Sequence, residues 1–181
     1  MQYPALERYL KSFGQDVVSQ SKSLLKANKG DTKLGESIDF KVTKESEGFS
    51  VKFYMLDYGT FLDKGVSGNK VKRNFINYNL QNESSPYSYK SKGAPIDILS
   101  KWVKKKGLKP KGFGRGRDKA TGQYVSGLAI YISKKIRLKG IPSISFFSKP
   151  FGAGYNKLKK GLLNEFTKDI KTYITTFTKQ K

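Results

Sequence analysis

The apolar residues of this chain change their spacing once near the N-terminus, from a helical period to strict alternation. An amphipathic helix is predicted over residues 4–28 by apolar residues at three- and four-residue intervals: Leu6, Tyr9, Leu10, Phe13, Val17 and Leu24. Pro4 suits its first turn, whereas Gly14 is unfavourable in its interior. Alternation then predicts a β-hairpin turning at residues 45–48: Ile38, Phe40 and Val42, then Phe49, Val51, Phe53 and Met55. Its apolar face requires a helix against it.

Helical spacing returns after residue 94. One helix is predicted over residues 95–106, with Ile96, Leu99, Trp102 and Val103 on its buried face. A second follows from Val125 to Ile136 and ends before Gly140, and a long C-terminal helix is predicted from Ala153 onward. The sequence therefore predicts an α+β fold in a single domain, residues 1–181, with a long N-terminal helix, a hairpin in a small antiparallel sheet, a long loop and further helices.

Residues 66–94 show no period and are rich in Asn, Ser, Gly and Tyr. A structureless loop of this length is unusual inside a compact domain, so we expect it to be disordered or ordered by a neighbouring subunit. Aromatic residues are frequent anchors of protein interfaces. We therefore predict a subunit interface on this interaction loop, formed by Phe75, Tyr78, Tyr87 and Tyr89.

Positive charge is concentrated in the later part of the chain. Residues 1–60 contain nine Lys and Arg residues against eight acidic residues, whereas residues 61–181 contain 27 against six. Such a field attracts phosphate polymers or acidic protein surfaces. Within this later part of the chain, residues 107–123 form a basic, glycine-rich arm, which we expect to lack regular structure. The predicted contacts to DNA or to an acidic partner are Lys101, Lys104, Lys105, Lys106, Lys109, Lys111, Arg115, Arg117 and Lys119.

Residues suited to catalysis are scarce. The chain has no Cys and no His, which excludes disulfides, thiolate sites and the commonest general base. Asp39 and Lys41 match the end of a common nuclease pattern, but the match is only three residues long, and we expect an outward-facing polar pair that flanks a buried Phe40 on the hairpin. We expect no enzyme activity, cofactor or metal. No apolar run is long enough to span a membrane and no signal peptide is evident, so we expect synthesis and assembly in a cytoplasm, or export by a route that needs no signal peptide.

Several motifs, in order along the chain, resemble the neck proteins of tailed bacteriophages, the head–tail connector or tail-completion family. They are Asp57-Tyr-Gly-Thr-Phe-Leu-Asp-Lys-Gly-Val-Ser-Gly68 after the hairpin, Ser85-Pro-Tyr-Ser-Tyr-Lys-Ser-Lys-Gly-Ala-Pro95, Trp102-Val-Lys-Lys-Lys-Gly107, and Lys139-Gly-Ile-Pro-Ser-Ile-Ser-Phe-Phe-Ser-Lys-Pro-Phe151 before the last helix. The resemblance implies a structural virion protein that forms a homo-oligomeric ring or adaptor between portal and tail proteins, around a channel for double-stranded DNA. The alternative is a cytosolic protein that binds nucleic acid non-specifically through its basic arm.

Overall fold

The computed structural model describes residues 3–46, 48–108, 112–117 and 124–179, with the backbone alone at 115–117, 124–125 and 177–179. The chain forms two compact units, each built from separate segments. Unit 1 comprises Met1–Asp63, Ile76–Glu83 and Ile144–Lys181, and unit 2 comprises Lys64–Phe75 and Ser84–Ser143. The predicted α+β class is confirmed, whereas the single domain stays a prediction.

Unit 1 begins with helix α1, Pro4–Lys29, and the short helix α2, Lys33–Ser37. The hairpin follows as β1, Asp39–Glu45, and β2, Gly48–Tyr54, in an antiparallel register that pairs Asp39 with Tyr54. Helix α3, Gly59–Lys64, comes next, and helix α6, Ser148–Lys179, ends the chain. The predicted helix and hairpin are confirmed, and α1 packs on both strands as the apolar hairpin face requires.

The core of unit 1 lies between α1, the hairpin and the start of α6. Its buried apolar residues are Phe13, Val17, Val18, Leu25, Leu34, Ile38, Phe146 and Phe147. Phe53 contributes edge-on ring contacts to Phe13, Phe147 and Phe151. The last helix begins at Ser148, five residues before the predicted start at Ala153. The reason is tertiary, because buried Asp63 accepts hydrogen bonds from the amides of Phe147 and Ser148 at the N-terminus of α6.

Unit 2 contains helix α4, Ile96–Lys105, and helix α5, Gly127–Lys139, which pack on each other. Val103 of α4 and Ala129 and Ser133 of α5 are buried there. Strands β5, Arg115–Arg117, and β6, Tyr124–Ser126, form an antiparallel pair next to these helices. Strands β3, Asn74–Ile76, and β4, Asn82–Ser84, form a further two-stranded sheet.

The loop at 66–94 is held by hydrogen bonds within its own chain, so the prediction of disorder is wrong, whereas contact of this loop with a neighbouring subunit stays a prediction. The backbones of Val66 and Ile141 exchange two hydrogen bonds of 2.8 Å. Ser67 donates its amide to Tyr87 and accepts from the amide of Tyr89, both at 2.8 Å. These bonds link residues distant in sequence, so no periodic pattern within the loop predicts them.

Candidate nucleic-acid interface

The two units differ sharply in charge. Unit 2 contains 19 Lys and Arg residues and two acidic residues, Asp97 and Asp118, which is a net charge of +17. Unit 1 is longer, yet it contains 17 Lys and Arg residues and 12 acidic residues, a net charge of +5. The field inferred from the sequence therefore belongs chiefly to one compact body, where fields from many side chains add and attract polyanions.

Helix α4 presents lysines to solvent. The helix begins after Pro95, carries Asp97 in its first turn and Lys104 and Lys105 in its last, which suits the helix dipole. Val103 is buried, while Lys101, Lys104, Lys105 and Lys106 are exposed. Among the described residues, the ion pairs lie elsewhere, for example between Lys11 and Glu7. The α4 lysines therefore face solvent as accessible cations.

Trp102 does not lie on the buried face of α4, and that prediction is wrong. Its side chain is 44% exposed, and Ile98, one turn earlier, is 60% exposed. The predicted buried face had four apolar residues, but the face that is covered is narrower: Val103 is buried, and Ile96 and Leu99 are half-buried. Trp102 lies a quarter-turn from Val103, beyond the edge of that stripe. The outward surface of α4 therefore combines lysines with two large apolar side chains.

The glycine-rich arm is structured over the part that the structure describes. Gly112 turns the chain at φ +84°, and the amide of Gly127 donates to the carbonyl of Gly114 at 2.8 Å. Residues 115–117 then form β5, so the expectation that glycines prevent regular structure here is wrong. Gly114 approaches the backbone at the start of α5, and a Cβ at Gly127 would collide with it. Lys109, Lys111 and Lys119 lie outside the described residues, and only the backbone is described at Arg115 and Arg117.

Unit 2 contains an aromatic pair that the sequence did not indicate. The ring of Phe113 meets that of Tyr131 edge-on, with centroids 5.3 Å apart. The Nζ of Lys135 lies 5.2 Å from the Tyr131 centroid, a cation–π contact one helical turn along α5. Phe113 and Tyr131 are both exposed. No local signal in the sequence indicates this pair, because Phe113 and Tyr131 are 18 residues apart and meet only through tertiary packing.

The four residues predicted at a subunit interface do not form one exposed set. Phe75 is 6% exposed and lies under the Nζ of Lys64, which is 5.6 Å from its ring centroid. Tyr78, in unit 1, is exposed and packs edge-on against Phe151. Tyr87 and Tyr89 are half-buried in unit 2, and burial raises the pKa of the Tyr89 phenol above its ordinary value. Phe75 is thus a core residue of its own unit.

Asp39 and Lys41 are exposed neighbours on β1. An oxygen of Asp39 accepts the amide of Phe40 at 2.8 Å, and Lys41 lies opposite Lys52 in the register. Within the described ranges, no three acidic side chains converge closely enough to hold a metal ion. Nor does any helix over those ranges combine the length and apolarity that a membrane span requires.

Comparisons with known proteins give no match, whether with protein-family models, with curated proteins or with solved structures.

Proposed function

We propose that the protein is a structural subunit of a bacteriophage neck, forming a ring or adaptor between portal and tail proteins, with unit 2 in contact with the DNA that passes through. The observation that carries the proposal is the net charge of +17 on one compact unit. The placement in a virion is supported by the resemblance of the motifs at 57–68, 85–95, 102–107 and 139–151 to phage neck proteins. No catalytic step is assigned to any residue.

The chemistry of unit 2 favours contact with phosphates over the reading of bases. Exposed lysines such as Lys104 and Lys106 are flexible point charges, which bind phosphate without demanding one geometry. Phosphate contacts position a protein on DNA and carry no sequence information. This mode suits a channel protein, because packaged DNA of any sequence must still move past it.

The direct experiment measures binding of a random-sequence duplex as a function of salt. Each phosphate contact contributes about −0.9 to the slope of log affinity against log salt. Replacing Lys109, Lys111, Arg115 and Arg117 together by Ser should make the slope shallower by roughly 2–4 units. The matched control replaces four exposed lysines of unit 1, Lys22, Lys29, Lys157 and Lys160, and removes the same net charge. If the salt slope became equally shallow in both variants, DNA binding would depend on the overall charge of the protein and not on unit 2.

The second candidate is a cytosolic protein that binds nucleic acid non-specifically. One observation favours it: Phe75 and half-buried Tyr87 and Tyr89 are largely covered within their own chain, which weakens the loop as a contact to a neighbouring subunit. Both candidates predict DNA binding, so the deciding measurement is location and assembly. Rings in electron micrographs of the pure protein, and the protein itself in purified virions, would support the neck. Absence of the protein from purified virions would favour the second candidate, the cytosolic nucleic-acid-binding protein.

A further inference from the structure

Four large side chains are exposed where the hairpin ends and α3 begins. They form the hairpin-end patch, which is Tyr54, Leu56, Tyr58 and Phe61. Tyr54 and Leu56 face away from the core because they alternate with Phe53 and Met55, which pack against it. Two turns hold the rest, with Gly59 donating to the carbonyl of Leu56 at 2.8 Å and Phe61 to that of Tyr58 at 3.2 Å. Exposed aromatic residues of this density are typical of protein interfaces.

The surroundings of the hairpin-end patch are acidic, in a chain of net charge +22. Residues 34–40 and 53–63 together contain four acidic residues and no Lys or Arg. Three of them, Glu36, Asp39 and Asp57, are exposed. The two segments adjoin, because Asp39 pairs with Tyr54 and the amide of Leu56 donates to the Ser37 hydroxyl at 3.2 Å. Lysines directly flank both segments, at Lys33, Lys41, Lys52 and Lys64. An apolar partner with basic side chains would therefore complement the patch and the three exposed carboxylates beside it, but not the lysines beyond them.

The outward face of α4 has that composition. Ile98 and Trp102 are one turn apart, and Lys101 and Lys105 form the adjacent row at the same spacing. Phosphate binding explains the lysines but gives no reason to expose an isoleucine and a tryptophan beside them. The hairpin-end patch, which is apolar and has carboxylates beside it, complements both the apolar row and the lysine row of α4. This face of α4 is therefore better suited to a protein partner than to duplex DNA.

We propose that the hairpin-end patch of one chain docks on the outward face of α4 of a second copy, head to tail. Pairing of two identical surfaces is disfavoured. Two hairpin-end patches in contact would bring carboxylates of both copies together, and two α4 helices in contact would bring lysines together. A contact between two different surfaces repeats from copy to copy, and it closes into a ring when the rotation allows. The inference rests on the ring part of the proposed function, and leaves the other basic residues of unit 2 for DNA.

Two surface variants test the head-to-tail contact. The patch variant carries Tyr54→Ser and Tyr58→Ser, and the helix variant carries Ile98→Ser and Trp102→Ser; all four side chains are exposed. Each variant alone should weaken self-association at least about tenfold in sedimentation velocity, as loss of interface aromatic residues does. Mixed one to one, they should form a dimer and nothing larger, because each chain retains one half of the contact. The control, Tyr173→Ser with Ile174→Ser, removes exposed apolar side chains of α6 and should assemble as the wild type does.

Charge exchange gives a second test that does not depend on apolar losses. Asp57→Lys and Lys101→Glu should each weaken assembly, and the chain carrying both should recover part of it, since the pair is restored with reversed sign. Circular dichroism and melting of every variant check that folding is retained.

The outcomes separate this inference from the proposed function. Wild-type assembly that neither surface variant changes, mixtures without a dimer, or a wild-type chain that stays monomeric would overturn the head-to-tail contact. DNA binding and presence in virions are measured independently of these variants. The proposed function can therefore be supported even if the head-to-tail contact is refuted. A chain that assembles as described but neither binds DNA nor enters virions would retain the contact and lose the neck.

Discussion

The ring of Phe40 on β1 lies directly against the backbone of Gly14 in α1. A Cβ at position 14 would be 2.8 Å from Cγ of that ring and closer still to its edge. Gly14 is buried in the middle of a 26-residue helix, where glycine is the least favourable residue after proline. The hairpin approaches α1 closely because position 14 has no side chain. The close contact therefore requires glycine there, although glycine lowers the stability of the helix itself.

We expect Gly14→Ala to destabilise the protein although alanine is the better helix former. Helix propensity favours alanine by about 1 kcal/mol. Overpacking against the Phe40 ring costs about 2–3 kcal/mol, the upper part of the usual range, because the Cβ would lie so close to the ring, so urea unfolding should show a net loss of about 1–2 kcal/mol. Adding Phe40→Leu to Gly14→Ala should recover part of this loss. Gly35→Ala is the control, because its Cβ would meet nothing nearer than 3.7 Å; a stabilised Gly14→Ala chain would contradict the packing argument.

Asp169 of α6 holds the start of α1 from 164 residues away. Its two carboxylate oxygens accept the amides of Ala5 and Leu6, each at 2.9 Å, and its side chain is buried. Asp169→Ala should lower the free energy of unfolding by about 2 kcal/mol, because it removes two charge-assisted bonds and a favourable charge at a helix N-terminus. Asp169→Asn should lose less. Exposed Asp16→Ala, on α1 itself, should change stability by less than about 0.5 kcal/mol. Similar losses at both positions would refute the capping role.

The sequence predicted the elements whose signal is local and missed the features that depend on distant residues. Alternation and helical spacing placed α1, the hairpin and α4, because each buries one face against a neighbour. The order of residues 66–94 depends on backbone bonds to Ile141, and the start of α6 depends on Asp63, and no window of sequence contains both partners. The exposure of Trp102 depends on how wide a stripe of α4 is covered by α5, and the hairpin-end patch depends on Tyr54 and Tyr58 being about half exposed among the described residues.

We expect Asp39 and Lys41 to have no part in catalysis. Both are exposed on β1, so Asp39→Asn with Lys41→Ala should change stability by about 0.5 kcal/mol or less. The measurement incubates supercoiled plasmid with wild-type protein and Mg²⁺, and the plasmid should remain intact. Cleavage by the wild type that this double variant abolishes would establish a nuclease and overturn the structural role.

Phe75 and Tyr78 were assigned to one subunit interface from the sequence, and the structure gives them different roles that substitution can separate. Phe75 is buried in unit 2 under Lys64, so Phe75→Ala should cost about 3–5 kcal/mol through lost apolar contact and the cavity that remains. Tyr78 is exposed and has an edge-on contact with Phe151, so Tyr78→Ala should cost only about 1 kcal/mol. Equilibrium unfolding gives both values. Sedimentation of the folded fraction then tests the interface directly, because a loop interface predicts loss of assembly in both variants at unchanged stability. A Phe75→Ala chain that is as stable as the wild type but monomeric would restore Phe75 to the interface and remove it from the core.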